Sequence, residues 1–411
     1  MSEVAQVPQL RFPEFSGEWE EKRFDSLYPT VRNGFVGVAT PYYVEEGVPY
    51  LQGKNIKSGA INRNGLVYIN ESFHQKSKKS QLRQNDIVMV QSGHVGECAV
   101  ITEEFEDTNC HALLVSTPTH DIDSKFYINY FYSKFGRKKI YRITTGNTIK
   151  HILSSDLKIQ TVSNPSYQEQ QKIAAFLAAV DSKIEQLSKK QALLGEYKKG
   201  LMQQIFSQAI RFKANDDSEF PDWEEKKLGD VCKLQGGYAF KSAEFQKHGI
   251  PIIRISNISN NNDFIDNRNL VYYNEIKNSD KFIIKNGDLI VAMSGATTGK
   301  SSIYNLIEDA YLNQRVGLFK ANNSLLDYGF LIQIVFSYIF ATQLDSVLVA
   351  GAQPNVSSKD IEGFEISLPS KIEQNKIANF LSSIDSKIEQ VGKQLDESKQ
   401  FKKALLQQMF V

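Results

Sequence analysis

Gly295-Ala-Thr-Thr-Gly299-Lys-Ser301 is one residue short of a glycine-rich loop of the kind that cradles nucleotide phosphates. Closing backbone N–H groups around a phosphate takes four residues between the glycines, and here there are three. Asn164-Pro-Ser-Tyr167 is close to the Asn-Pro-Pro-Tyr loop with which adenine methyltransferases hold an extruded base, but no glycine-rich loop for S-adenosylmethionine lies upstream. Pro221-Asp222 followed by Glu224-Glu-Lys226 carries the letters of a metal-dependent nuclease, with acids and lysine too close together to come from neighbouring strands around one ion. Cys98, Cys110 and Cys232 are far apart and form no paired motif, which suits small buried hydrophobes rather than a zinc set. The six histidines show no metal-binding spacing. The chain is therefore expected to catalyse nothing, and to carry no metal or cofactor of its own.

An internal duplication tests the same motifs a second time. Gly17-Glu-Trp19-Glu-Glu-Lys22 recurs as Pro221-Asp-Trp223-Glu-Glu-Lys226, Asp181-Ser-Lys-Ile-Glu-Gln186 as Asp385-Ser-Lys-Ile-Glu-Gln390, and Leu201-Met-Gln-Gln-Ile-Phe206 as Leu405-Leu-Gln-Gln-Met-Phe410. The offset is 204, since 223 − 19 and 385 − 181 agree. Between these anchors the match is looser, with Pro49, Asn55, Asp86 and Ser92-Gly93 mapping to Pro251, Asn257, Asp288 and Ser294-Gly295 at an offset of 202. None of the three tempting motifs survives in its counterpart: Ser92-Gly-His-Val-Gly-Glu97 has Glu where Lys300 stands, Leu368-Pro-Ser-Lys371 keeps only Pro-Ser, and Gly17-Glu18 replaces Pro221-Asp222. Conserved ends around divergent middles suit two copies of one scaffold that read different targets.

The elements that position these residues follow from periodicity. Short alternating or β-branched runs such as Asp86-Ile-Val-Met-Val90 and Ile250-Pro-Ile-Ile-Arg-Ile255, with aromatic-rich helical stretches near 124–141 and 328–346, predict an α+β domain in each copy. After each domain, apolar residues fall on a seven-residue repeat. Ile173, Val180, Leu187, Leu194 and Leu201 form one series, with Leu177, Ile184 and Ile205 alongside. In the second copy they are Ile377, Ile384, Val391 and Leu405, with Leu381, Ile388, Leu395 and Met409. Such seams mark coiled-coil helices. Ser166 with Glu169, and Ser370 with Glu373, predict a capping box at each helix start, just after Pro165 and Pro369. The expected order is a first domain over 1–163, a long helix over 164–208, a second domain over 209–367 and a second long helix over 368–411. Neither seam is stable in water alone, so the helices are expected to pair, antiparallel if each repeat folds alike.

Composition sets the remaining bounds. With 41% hydrophobic and 23% charged residues, the chain has the make-up of a globular protein rather than a disordered one. The longest apolar stretch, Tyr328 to Leu344, is broken by Gln333 and Gln343. The N-terminus lacks a basic flank and apolar run, so a cytoplasmic location is expected. A formal charge of +1 is low for a chain that binds nucleic acid alone, but clusters such as Arg137-Lys-Lys139 with Arg142 and Lys150 are locally basic.

Three features occur twice and in the same order: the opening around Phe12-Pro-Glu-Phe-Ser-Gly-Glu-Trp-Glu-Glu-Lys22, the Asn-Asp-Ile/Leu-Ile/Val strands ending in Ser-Gly at 84–93 and 285–295, and the helix start Gln168-Glu-Gln-Gln-Lys-Ile-Ala-Ala-Phe-Leu177. The second strand start reads Asn286-Gly287-Asp288-Leu289-Ile290, with a glycine between the Asn and Asp that are adjacent at Asn85-Asp86. Together the three features resemble the specificity subunits of type I restriction-modification enzymes. The resemblance implies two target-recognition domains, each reading one half of a bipartite site in double-stranded DNA, with the helix pair setting the unread gap. It implies two methyltransferase subunits gripping the helices, and two translocase–nuclease subunits joining for cleavage. S-adenosylmethionine, ATP and Mg would belong to those partners. Base edges in the major groove call for Arg, Lys, Asn, Gln, Ser or Thr on projecting loops. The candidates are Gln52, Lys54, Asn55, Lys57, Ser92, His94, Asn147 and Lys150 in the first domain. In the second they are Arg254, Asn257, Ser294, Thr297, Thr298, Lys300, Gln314, Arg315, Gln353 and Asn355. A coiled-coil scaffold with two ligand-binding domains and no DNA role is the competing reading.

Overall fold

The computed structural model describes residues 6–258, 263–276, 280–350 and 355–411. They form two compact units, residues 1–188 with 392–411, and residues 189–391. The boundary falls within the long helices, so each unit takes half of each helix rather than one whole repeat.

In the first unit the strand Glu20–Arg23 pairs antiparallel with Thr161–Asn164, Glu20 opposite Asn164. This clasp closes the domain and hands the chain directly to the long helix Tyr167–Phe206. One sheet has the order Thr30–Asn33, Leu113–Thr117, Ile87–Val90, Cys98–Val100, and a second has Asn109–Cys110, Val48–Leu51, Val67–Ile69, Tyr43–Val44. Alternate side chains of a strand face opposite sides of its sheet, and Ile87–Val90 uses both. Ile87 and Met89 join the aromatic core built on Phe24, Phe126, Tyr130 and Phe131. Val88 and Val90 join a separate core with Leu51, Ile56 and Cys110. A four-residue apolar run can therefore be buried on both faces.

The second unit repeats this plan. Glu224–Lys227 pairs with Glu365–Leu368 in the same register, Glu224 opposite Leu368. Its sheets run Cys232–Gly236, Val316–Ala321, Leu289–Ala292, Ser301–Ile303 and Val271–Tyr273, Ile250–Ile253, Ala310–Leu312, Ile283–Ile284. Leu289 and Val291 face the helical core, Ile290 and Ala292 the other.

Each aromatic-rich stretch is two helices rather than one: Ser124–Tyr132 with Lys134–Arg142, and Tyr328–Val335 with Tyr338–Ala350. Buried Ser133 ends one helix and caps the next, its hydroxyl accepting the Gly136 N–H at 3.1 Å. The second pair bends by 54°, and Phe330, Leu331, Ile334 and Phe340 from it are core residues. Among the described residues no single helix is long and apolar enough to cross a membrane.

None of the expected seam residues is exposed. In the first unit Ile173, Ala174 and Leu177 share a core with Leu405, Met409 and Phe410, so the start of one helix lies beside the end of the other. In the second unit Met202, Ile205 and Phe206 share a core with Ile377, Ala378, Leu381 and Ile384. The helix portions are antiparallel within each unit. The seam ends do more than pair helices, because the same clusters include the domain aromatics. Ion pairs follow the duplication with their members exchanged: Asp181 with Lys402 at 2.5 Å in the first unit, Lys198 with Asp385 at 2.6 Å in the second.

The capping boxes form only by half. Ser166 Oγ accepts the Glu169 N–H at 3.3 Å and Ser370 Oγ that of Glu373 at 3.4 Å. The glutamate side chains, instead of reaching back to the cap, hold arginines. Arg11 donates to Glu169 at 2.7 and 2.8 Å, and Arg211 to Glu373 at 3.3 and 2.9 Å. A bidentate guanidinium offers a buried carboxylate two charge-assisted bonds, more than one backbone N–H supplies.

Candidate nucleic-acid interface

Buried Gln170 and Gln374 fix each domain on its helix. Gln170 donates to Pro165 O at 2.9 Å and accepts the Asp123 N–H at 3.0 Å. Gln374 donates to Pro369 O at 2.9 Å and accepts the Asp327 N–H at 2.7 Å. Asp123 and Asp327 in turn cap the first aromatic-rich helix of each domain. The Glu-Gln pair at each helix start is thus a mounting: Glu169 and Glu373 anchor the segments ahead of the domains, and Gln170 and Gln374 anchor their helices.

On that mounting the first domain opens a groove of about 910 Å³. The loop 53–58 contributes Lys54 and Lys57, the hairpin turn 93–97 contributes His94, and Lys150 comes from a loop held by paired hydrogen bonds between Thr145 and His151, both 2.9 Å. The turn and that loop are tied together by Gly93 N–H to Lys150 O at 3.2 Å and Ile152 N–H to Gln91 O at 3.0 Å. Helix Lys134–Arg142 adds Arg137, Lys138 and Tyr141. The one carboxylate in the lining is Glu97. Burial opposes its ionisation. The Ser58 N–H at 2.7 Å, Arg137 at 2.8 Å and the Tyr132 hydroxyl at 2.8 Å outweigh that and hold it below the usual carboxylate range. Glu97 therefore offsets Arg137 and leaves Lys54, Lys57, Lys138 and Lys150 exposed and uncompensated within the groove. Such a surface suits a polyanion.

In the second domain the expected residues gather at one end of the two sheets. Ile253 O accepts the Asn313 N–H at 3.0 Å, Arg315 O the Met293 N–H at 2.9 Å, and Met293 O the Val356 N–H at 3.0 Å. These bonds bring Arg254, Ser294, Gln314, Arg315 and Asn355 onto neighbouring strand ends. Gln314, Arg315 and Asn355 are exposed there. The cleft that matches the first groove is smaller, about 480 Å³, and is lined by Lys300 together with Asp263 and Asp345.

Several expected contacts are corrected. Asn55 and Asn257 are buried and spend their amides locally: Asn55 Oδ1 accepts the Gln52 N–H at 3.0 Å and Nδ2 donates to Asn62 O at 3.0 Å, while Asn257 repeats this with Arg254 and Asp266 at 3.1 and 3.0 Å. They shape the loop and cannot reach a base. Thr297 and Thr298 donate their hydroxyls to Ile255 O and Gly295 O at 3.0 and 2.6 Å, holding their own turn. Gln52 is half-buried and donates to the Tyr43 hydroxyl at 2.8 Å. Ser92 and Asn147 are exposed near the groove but do not line it. Gln353 lies outside the described residues. The near-miss phosphate loop is a hairpin turn between Leu289–Ala292 and Ser301–Ile303, antiparallel strands with no helix to follow.

Two features escaped the sequence reading. His111 occupies the place of Asn313, its N–H bonded to Leu51 O at 2.8 Å, and burial pushes its imidazole below the ordinary value. The Arg-Phe pairs at 11–12 and 211–212 clamp the helices, Phe12 against Phe176 at 5.7 Å and Phe212 against Phe380 at 5.5 Å. Their offset is 200 (211 − 11), so a search at 204 passes over them.

A sequence profile described as the type I restriction modification DNA specificity domain matches residues 16–194 and again 221–397. Among similar proteins, the type I restriction enzyme MjaVIII specificity subunit of Methanocaldococcus jannaschii is 26% identical over 97% of this chain and 92% of its own length. The EcoKI specificity subunit of Escherichia coli is 23% identical over 88% of this chain and 80% of its own. The fold is similar to the crystal structure of a type I restriction-modification S subunit from M. genitalium, with a TM-score of 0.63 and 19% identity, covering 98% of this chain and 99% of that one.

Proposed function

The chain belongs to the type I restriction-modification DNA specificity family, and from that premise we propose that it is the sequence-reading, non-catalytic subunit of such an enzyme. Each domain contacts one half of a bipartite duplex site. The antiparallel helix portions set the gap and offer a seat to two methyltransferase subunits, while two translocase–nuclease subunits join for cleavage. S-adenosylmethionine, ATP and Mg are assigned to those partners, and the site of action to the cytoplasm.

The observation that carries this reading is the first-domain groove, where Lys54, Lys57, Lys138 and Lys150 stand exposed around a cavity with a single, already neutralised carboxylate. Lysines supply phosphate contacts and the loops between them supply base contacts. The test is co-expression with a candidate methyltransferase subunit, followed by sequencing of methylated adenines in the host DNA. A two-part recognition sequence supports the proposal. A stable complex that methylates without sequence preference, or no complex at all, argues for the scaffold reading instead.

A further inference from the structure

Tyr141 is a large apolar side chain with no place in any core. It lies on the last turn of helix Lys134–Arg142, lines the cationic groove and is 73% exposed. The residue one position before it, Ile140, is buried beneath Gly96, so the helix cannot turn Tyr141 inward without losing that contact. Lys150 Nζ stands 5.9 Å from the ring centroid, placing a cation beside an aromatic face in the same groove. Ile149, next to Lys150 in sequence, is 67% exposed. A lone exposed tyrosine on a protein surface needs no explanation, but one set among phosphate-binding cations has a specific use. Aromatic and aliphatic side chains brought to a duplex by such cations pack on, or wedge into, a base step.

We propose that Tyr141 is a stacking or wedging contact on the DNA half-site read by the first domain, made by that domain alone. The inference rests on the DNA-reading proposal above. The second domain supplies the contrast: Leu344 lies beneath Gly299 as Ile140 lies beneath Gly96, which makes Asp345 the equivalent of Tyr141. A carboxylate there repels phosphate and cannot stack.

The experiment uses the chain assembled with its methyltransferase subunits and the bipartite duplex that the wild-type complex is found to methylate. Tyr141→Ala is expected to weaken binding by about 10-fold, within the range for one aromatic stack. Tyr141→Phe and Tyr141→Trp should restore it. The slope of log affinity against log salt should stay unchanged, because no phosphate contact is lost. A 2-aminopurine placed in the first half-site should brighten or dim on binding of wild type and not of Tyr141→Ala. Asp345→Ala should leave binding to the second half-site undiminished. Unaltered affinity in Tyr141→Ala, or loss in Tyr141→Phe equal to that in Tyr141→Ala, overturns the stacking role while leaving DNA reading intact. A wild-type complex with no preferred duplex overturns both.

Discussion

Helix Lys134–Arg142 of the first unit lines its groove with Arg137, Lys138, Ile140 and Tyr141, whereas the matching helix of the second unit lines its cleft with Ala341, Leu344, Asp345 and Leu348. Apolar Ile140 and Leu344 correspond, while the charged positions do not. Directly behind these helices the two units are nearly interchangeable. The clasp strands pair in one register, the Gln170 and Gln374 braces make the same bonds, and each arginine–glutamate clamp sits on an equivalent turn. Selection for a common seat would keep the mounting, and selection for different targets would free the groove. The positive charge of the first-domain groove is therefore a property of its loops and one helix face, not of the fold.

The mounting is where substitution should cost most. Glu169→Ala and Glu373→Ala each leave a partly buried arginine without its carboxylate, and each is expected to destabilise its unit by about 1–3 kcal/mol in urea unfolding. The loss at Glu373 should be the larger, since Trp223 Nε1 also donates to it at 3.1 Å. If only one of the pair responds, the two mountings are not energetically equivalent and the comparison fails at its base.

The groove should respond more weakly per residue, and through DNA rather than stability. Replacing Lys54, Lys57 and Lys150 together by alanine should lower the salt slope of DNA binding by about 2–3, close to 0.9 per lost phosphate contact. Lys300→Ala, the single lysine of the matching cleft, should lower it by about 1 or less. Equal effects would show that the second domain uses its cleft as the first uses its groove, and that Asp345 is no obstacle.

The seams, the duplicated order and the α+β class could be read from the sequence because each rests on a period or on a copied string. The clamp could not, since Arg11 and Glu169 are far apart in sequence and the glutamate had a local reading as a cap. Among the site residues, Lys54, Lys57, His94 and Lys150 were visible as long or polar side chains on loops, and they do gather in one groove. Asn55 looked identical to them by residue type. Its burial follows from a loop whose amide bonds reach ahead to Asn62, which no local pattern announces. Arg137 and Lys138 were visible only as a charged cluster, because their role depends on how a helix leans over a hairpin turn.

The last contrast is also the smallest in effect. In the second unit Asp263 stands near the Lys198–Asp385 ion pair, in a cleft that Lys300 and Asp345 also line. Asp263 is exposed as a residue, but where it lines the cleft partial desolvation pushes its carboxyl above the ordinary value of 3.8, with Lys198 opposing the rise and Asp385 adding to it. Between 3.8 and that raised value the folded unit binds more protons at this site than the unfolded chain does, so this group's contribution to stability falls as pH rises and then levels off. Asp263→Asn is uncharged throughout. Its advantage over wild type should be least in acid and grow towards neutrality, the other titrating groups cancelling in the difference. Urea midpoints of the two proteins at about pH 4 and pH 7 measure it. A difference that stays constant with pH removes Asp263 from the account. In the first unit the residues beside Asp181 and Lys402 in the matching loop are Ser58, Gly59, Ala60 and Ile61, none of which titrates. The carboxyl at this loop position therefore belongs to one repeat, since the carboxylate that shares the first unit's lining, Glu104, comes from another segment, while the ion pair beside it is kept in both.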